Sequence, residues 1–223
     1  TLFSGTYLAH HKFNFSTAGL PMRVLPRLFP SLLREAGYRT GLVGKLGIWF
    51  EQSVLQKVGK HLGFVSEDAG LFDVYEPVGR LPYISEDEDG VVRHSLDKIE
   101  LRARRFLRGL PRNQPFCLIV GFNAPPITER MDGQGRYEPA PRDRNLRPAA
   151  TVPVPRLNDP EILAALPEVL KPPVMTGEEA KGWSGKDPTN EFVNYFRLIG
   201  GVDRVVGSVC KELDAAGLAN DTV

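Results

Sequence analysis

Gly37-Tyr38-Arg39-Thr40-Gly41-Leu42-Val43-Gly44-Lys45 decides the fold, and its reading begins one turn upstream. Pro30 suits the first position of a helix, Leu32 and Leu33 supply an apolar stripe, and Gly37 can take the left-handed turn that ends it. The spacing therefore predicts a helix over Pro30–Ala36. Tyr38 to Val43 then mixes aromatic, Thr and branched aliphatic residues over a strand's length. Gly44 and Lys45 fall in the loop beyond the strand's carboxyl end, the edge of an open α/β sheet where ligands bind. An ammonium there can hold an anion. On spacing alone a solvated lysine, or one paired with a nearby carboxylate, is the plainer reading.

The flanks extend this pattern. Residues 1–25 read as loop and short elements, and residues 50–80 show weak periodicity. A hairpin is expected from Leu81 to His94, with Asp89-Gly90 as a two-residue turn between Tyr83-Ile84 and Val91-Val92. Ser95 is placed to cap the next helix, in which Leu96, Ile99, Phe106, Leu107 and Leu110 recur at helical spacing and Gly109 marks the end. Arg102, Arg104, Arg105 and Arg108 are read as its solvated face. Phe116 to Phe122, bounded by Pro115 and by Asn123-Ala124-Pro125-Pro126, fits a strand buried on both faces of a parallel sheet. The order so far is β-α-β.

Residues 128–188 are crowded with proline and charge, with a short helical possibility at Asp159–Leu170, and read as a functional loop or linker. Phe192, Phe196, Ile199, Val202, Val206, Val209 and Leu213 mark a long amphipathic helix closed by Gly217. There is no internal repeat or low-complexity tract. The fold class is α/β: a mixed, mainly parallel sheet flanked by helices.

Composition sets bounds on function. The chain has 223 residues, a formal net charge of +1 and two cysteines. That charge argues against a nucleic-acid binder, and no segment approaches the ~20 apolar residues of a membrane span. Two cysteines are too few for a disulfide framework, and Cys117 and Cys210 sit in structural patterns. The chain begins at Thr1 without Met and ends on Asp221-Thr222-Val223, where a strand is expected to start, so it reads as a fragment cut at both ends.

The run from Gly37 to Lys45 resembles the second signature of the sulfatases, a branch of the alkaline-phosphatase-like superfamily, which reads G-Y-x-T-x-x-x-G-K. Leu2-Phe3-Ser4-Gly5 is similar to the tail of the first signature, in which C-x-P/A-S-R stands just upstream. Phe122-Asn123-Ala124-Pro125-Pro126 resembles the family's apolar strand ending in Pro-His. Tyr195-Phe196-Arg197, Asp203 to Gly207 and Gly217 to Val223 resemble the helix leading into its metal-binding turn. The whole chain, 1–223, thus looks like part of a sulfatase catalytic domain, with 128–188 as an insertion or substrate loop.

The resemblance implies a chemistry. A cysteine upstream of Thr1 is oxidised to formylglycine, the nucleophile on a sulfate ester, and a calcium ion with ligands outside the fragment polarises the sulfate. Lys45, matching the signature lysine, would be both catalytic and substrate-binding, holding a sulfate oxygen; it is the one family catalytic position carried over. No metal ligand is assigned within the chain, and the fragment alone is expected to be inactive. The expected partner is a small-molecule or glycan sulfate ester, and the expected location is extracytoplasmic.

Two departures keep alternatives open. Gly47 stands where the family commonly has histidine two places beyond the lysine, and Pro126 replaces the histidine of Pro-His; proline cannot donate a hydrogen bond to sulfate. A phosphoester or phosphonate hydrolase of the same superfamily and an inactive sulfate- or glycan-binding homologue therefore stand beside the sulfatase. Gly59-Lys60-His61 lacks the helix and strand that would make it a second copy of the motif. Ser85 to Gly90 imitates a calcium loop but has Leu96 where a bidentate Glu is needed. His10 and His11 are read as loop histidines, and Asn14-Phe15-Ser16 and Asn220-Asp221-Thr222 as short chance matches to the glycosylation triplet.

Overall fold

The computed structural model describes residues 2–14, 19–51, 68–79, 82–125, 137–146, 160–170 and 188–223. They form two compact units: Thr1–Arg80 with Asp97–Asn123 and Val205–Val223, and Leu81–Leu96 with Ala124–Arg204.

In the first unit, helix α1 (Leu8–His11) and a 3-10 turn (Met22–Arg27) precede helix α2 (Phe29–Glu35) and strand β1 (Arg39–Gly44). Gly37 ends α2 as its sequence requires. It has φ +87°, its N–H donates to the Arg34 carbonyl at 3.0 Å and the Tyr38 N–H reaches back to Leu33 at 2.9 Å. These two bonds are a Schellman closure, which satisfies carbonyls that the helix end leaves open.

β1 is the central strand of a three-stranded parallel sheet, between β2 (Val74–Pro77) and β5 (Phe116–Gly121). Alternation along β1 assigns its two faces. Leu42 joins Leu20, Leu28, Phe50, Leu71 and Phe72 in one buried cluster. On the other face Gly41 lies under the Phe106 ring, where a Cβ would come within 2.5 Å of it. Phe106 belongs to helix α3 (Ser95–Arg108). The Thr40 hydroxyl and N–H both donate to Asp73 Oδ2, at 3.0 and 2.7 Å, and the Asp73 N–H donates back to Thr40 Oγ1 at 3.1 Å. That exchange ties β1 to the residue preceding β2.

Three features of this unit depart from expectation. β2 was not foreseen, because Val-Tyr-Glu-Pro is too short and mixed to show a period. β5 is half-buried along its length rather than buried on both faces, since among the described residues it pairs only with β1. The arginines of α3 are a solvated face only in part: Arg105 and Arg108 are exposed, Arg104 is half-buried and Arg102 is buried. Arg102 is buried and donates to the Pro77 carbonyl at 2.7 Å, Arg105 pairs with Glu76, and Arg104 and Arg108 both grip Glu212. The Pro77 carbonyl and the Glu76 carboxylate at 3.7 Å explain why the Arg102 charge can sit at a packed position. At Asp221-Thr222-Val223, a 3-10 turn over Ala219–Asp221 is followed by extended Thr222.

In the second unit, strands β3 (Ile84–Glu86) and β4 (Val92–His94) form the expected antiparallel hairpin. Its turn is longer than two residues. Asp87 N–H donates to Val91 O at 2.9 Å and Gly90 N–H to Asp87 O at 2.9 Å, with Gly90 at φ +77°. Glu88-Asp89-Gly90 is thus a three-residue loop with glycine in the left-handed position, the form that Asp-Gly takes when the residue before it also turns. Ser95 does not cap α3. Its hydroxyl is buried without a partner, and His94 Nδ1 accepts the Leu96 N–H at 3.1 Å in its place.

Helix α4 (Pro160–Ala165) and a 3-10 turn (Glu168–Leu170) fall within the short helix expected there. The long helix α5 (Pro188–Ala215) closes at Gly217, φ +69°, with Leu218 N–H on Leu213 O at 2.9 Å. Within the second unit its Arg204 forms a two-pronged ion pair with buried Asp143, at 2.9 and 3.0 Å. Tyr137 packs edge-on against Tyr195 at 5.4 Å. Residues 137–146 are therefore anchored to α5.

Candidate active site at the carboxyl edge of the sheet

β1 delivers Lys45 to the carboxyl edge of the sheet, and two glycines set how closely its neighbour approaches. Gly44 has φ +97°, and a Cβ there would fall on the Gly121 carbonyl oxygen. A Cβ on Gly121 would likewise fall on the carbonyl oxygen of Lys45. Only glycine at both positions lets the two backbones meet. The Lys45 N–H then donates to Gly121 O at 2.9 Å.

The other strand ends join the same edge. Val78, just past β2, donates its N–H to Gly44 O at 3.3 Å, and Asn123, just past β5, donates Nδ2 to Val78 O at 2.6 Å. Asn123 is buried, so a lost bond there would strand a desolvated carbonyl. All three strand ends are thereby tied together beneath Lys45. Its side chain is exposed and, among the described residues, makes no hydrogen bond or ion pair. The carboxylate partner considered from spacing is not found there. An ammonium with its charge unmatched, set on a fixed backbone, is suited to an arriving anion.

The remaining candidates separate cleanly. His10 and His11 lie on α1, and His11 Nδ1 accepts the Phe13 N–H at 3.1 Å, a local turn bond. Cys117 lies in β5, where burial pushes its thiol above the ordinary value, and Cys210 is exposed; both are free thiols. Pro126 and Gly59-Lys60-His61 lie outside the described residues. Among the described residues no three His, Cys, Asp or Glu side chains are grouped to hold a metal ion, so these residues do not fit calcium. Asn123 and the Gly44–Gly121 pair were the contributors that sequence reasoning missed. A polar residue directly after an apolar strand run, and glycines at the same end of two strands, were their available signals.

The sulfatase family profile matches residues 1–223, the whole chain. The chain belongs to the sulfatase family. N-acetylglucosamine-6-O-sulfatase of Bacteroides thetaiotaomicron is 29% identical to it over 116 residues, 51% of this chain and 18% of that protein. Two solved structures share the fold of this sulfatase chain. One, described as in complex with its substrate D-glucosamine-2-N,6-O-disulfate, gives a TM-score of 0.51 at 15% identity, over 98% of this chain and 52% of the other. The second, a 4S-sulf protein from a Bacteroides thetaiotaomicron locus for glycosaminoglycan metabolism, gives 0.52 at 17%, over 97% and 45%. The sulfatase chain thus spans about half the length of these solved relatives. A mixed α/β, alkaline-phosphatase-like fold is common to them, as the sequence implied.

Proposed function

We propose that the whole protein hydrolyses a sulfate ester on a sugar, with Lys45 holding a sulfate oxygen. The observation that carries this reading is the exposed, unmatched ammonium at the tied carboxyl edge of a sulfatase sheet. As the S–O ester bond breaks, its electron pair moves onto the departing oxygen and negative charge builds there. A fixed cation gains more from that charge than from the ground-state ester, which lowers the barrier. The sugar follows from the relatives, one named for N-acetylglucosamine 6-O-sulfate and one bound to a glucosamine disulfate. Formylglycine as the nucleophile, calcium as the sulfate-polarising cation and an extracytoplasmic location belong to the same proposal. The nucleophile and the calcium ligands are assigned outside Thr1–Val223.

Parallel assays of the full-length protein test the reaction class. p-Nitrophenyl sulfate and N-acetylglucosamine 6-sulfate should be turned over, and the matching phosphate esters at least about a hundredfold more slowly. Preference for the phosphates would move the protein to the phosphohydrolase branch. Binding without turnover of any of them would make it a silent homologue.

A further inference from the structure

The first unit carries a second feature that the carboxyl-edge site does not use. A cavity of about 270 Å³ opens between β1, β2 and the carboxyl-terminal half of α3, lined by Arg39, Val74, Glu76, Arg105, Phe106, Gly109 and Leu110. Arg39 is the first residue of β1, and Lys45 follows its last. Six residues at ~3.3 Å each put Arg39, at one end of the cavity, on the order of 20 Å along the strand from Lys45, while Glu76 lies level with Val43.

We infer that this cavity is an accessory subsite for an acidic sugar unit of a sulfated glycan. Three properties argue for that occupant. The first is charge. Arg39 and Arg105 line the cavity and Arg102 stands behind Glu76, so three guanidiniums face one carboxylate. Arg105 and Arg102 are engaged with Glu76, whereas the Arg39 guanidinium is exposed and has no hydrogen bond or ion pair among the described residues. A planar fork with its donors unused is matched to a sulfate or carboxylate.

The second property is the floor. Val74, Phe106 and Leu110 give an apolar surface on which the C–H face of a pyranose can rest, while Glu76 can accept from a sugar hydroxyl or amide. The third is size. The cavity lies just under the ~300–1,000 Å³ of pockets that take drug-sized ligands, which fits one ring rather than an oligomer. Arg112, two residues past Leu110, is also exposed, whereas Arg108 is already engaged by Glu212.

The inference rests on the glycan class proposed above, but not on the catalytic role of Lys45. Its test uses the full-length protein carrying Arg39→Glu, with Arg39→Lys as the charge-keeping control and unchanged melting as the check on folding. Affinity is measured for a heparin-derived octasaccharide, for inorganic sulfate and for a DNA single strand of similar charge, alongside turnover of p-nitrophenyl sulfate. Arg39→Glu should weaken octasaccharide binding at least about fivefold, with Arg39→Lys intermediate and p-nitrophenyl sulfate kcat/KM within about twofold of the parent. Octasaccharide affinity within twofold of the parent in Arg39→Glu would overturn the inference. So would a loss confined to inorganic sulfate, or DNA binding as tight as the glycan. Loss of turnover with octasaccharide binding intact in Lys45→Ala, against loss of binding with turnover intact in Arg39→Glu, separates this subsite from the catalytic proposal.

Discussion

Thr40 and Gly44 show how one short stretch divides its labour. Thr40 is fully buried and exchanges hydrogen bonds with Asp73, so Thr40→Val should cost about 1–2 kcal/mol by leaving the Asp73 N–H without its acceptor. Urea unfolding would measure this, and specific activity of the folded fraction should not change. Gly44→Ala is the harsher change, because φ +97° is strained for alanine and its Cβ would meet the backbone of Gly121. About 2–4 kcal/mol of destabilisation is expected from the two effects together. Here activity should fall along with stability, since the alanine would push apart the strand ends that hold Lys45. The threonine and the glycine were legible as letters of a signature. Their reasons were not, because both depend on Asp73 and Gly121, partners far along the chain.

Among the elements, those with a local cause were readable and those with a distant cause were not. Gly37 stops α2 and Gly217 stops α5 through bonds within a few residues, and both stops were foreseen; Gly37→Ala should cost about 1 kcal/mol in thermal or urea unfolding. β2 and the ion pairs of α3 could not be foreseen, because Val74–Pro77 gains its strand character only by pairing with β1 and the α3 arginines meet acids from other elements. Glu212 gives that clamp a measurable signature. Hydrogen bonds from Arg108 and then Arg104 hold its carboxyl at about 2, below the ordinary 4.5. A depressed carboxylate contributes stability that is complete above its unfolded value and drains away as pH falls from about 4.5 towards 2. The melting temperature of the parent should therefore exceed that of Glu212→Gln at pH 7, and the gap should narrow below pH 4.5. A gap that stayed constant to pH 3 would remove the clamp from the acid response.

For the whole molecule, the proposed sulfate anchor accounts for a three-stranded parallel sheet that ends in a lysine with no partner among the described residues. The sequence showed the helix, glycine stop, strand and lysine directly, and through them the family. It could not show the bonds that tie the strand ends at Lys45 or the cavity between β1, β2 and α3, since each is assembled from elements far apart in the chain. The claim on which the account depends is that Lys45 anchors the sulfate. Steady-state hydrolysis of p-nitrophenyl sulfate by the full-length protein and its Lys45→Ala variant, at matched melting temperature, tests it most directly. A fall of about a hundredfold or more in kcat/KM, partly restored in Lys45→Arg, is predicted; kcat/KM within twofold of the parent in Lys45→Ala would contradict it.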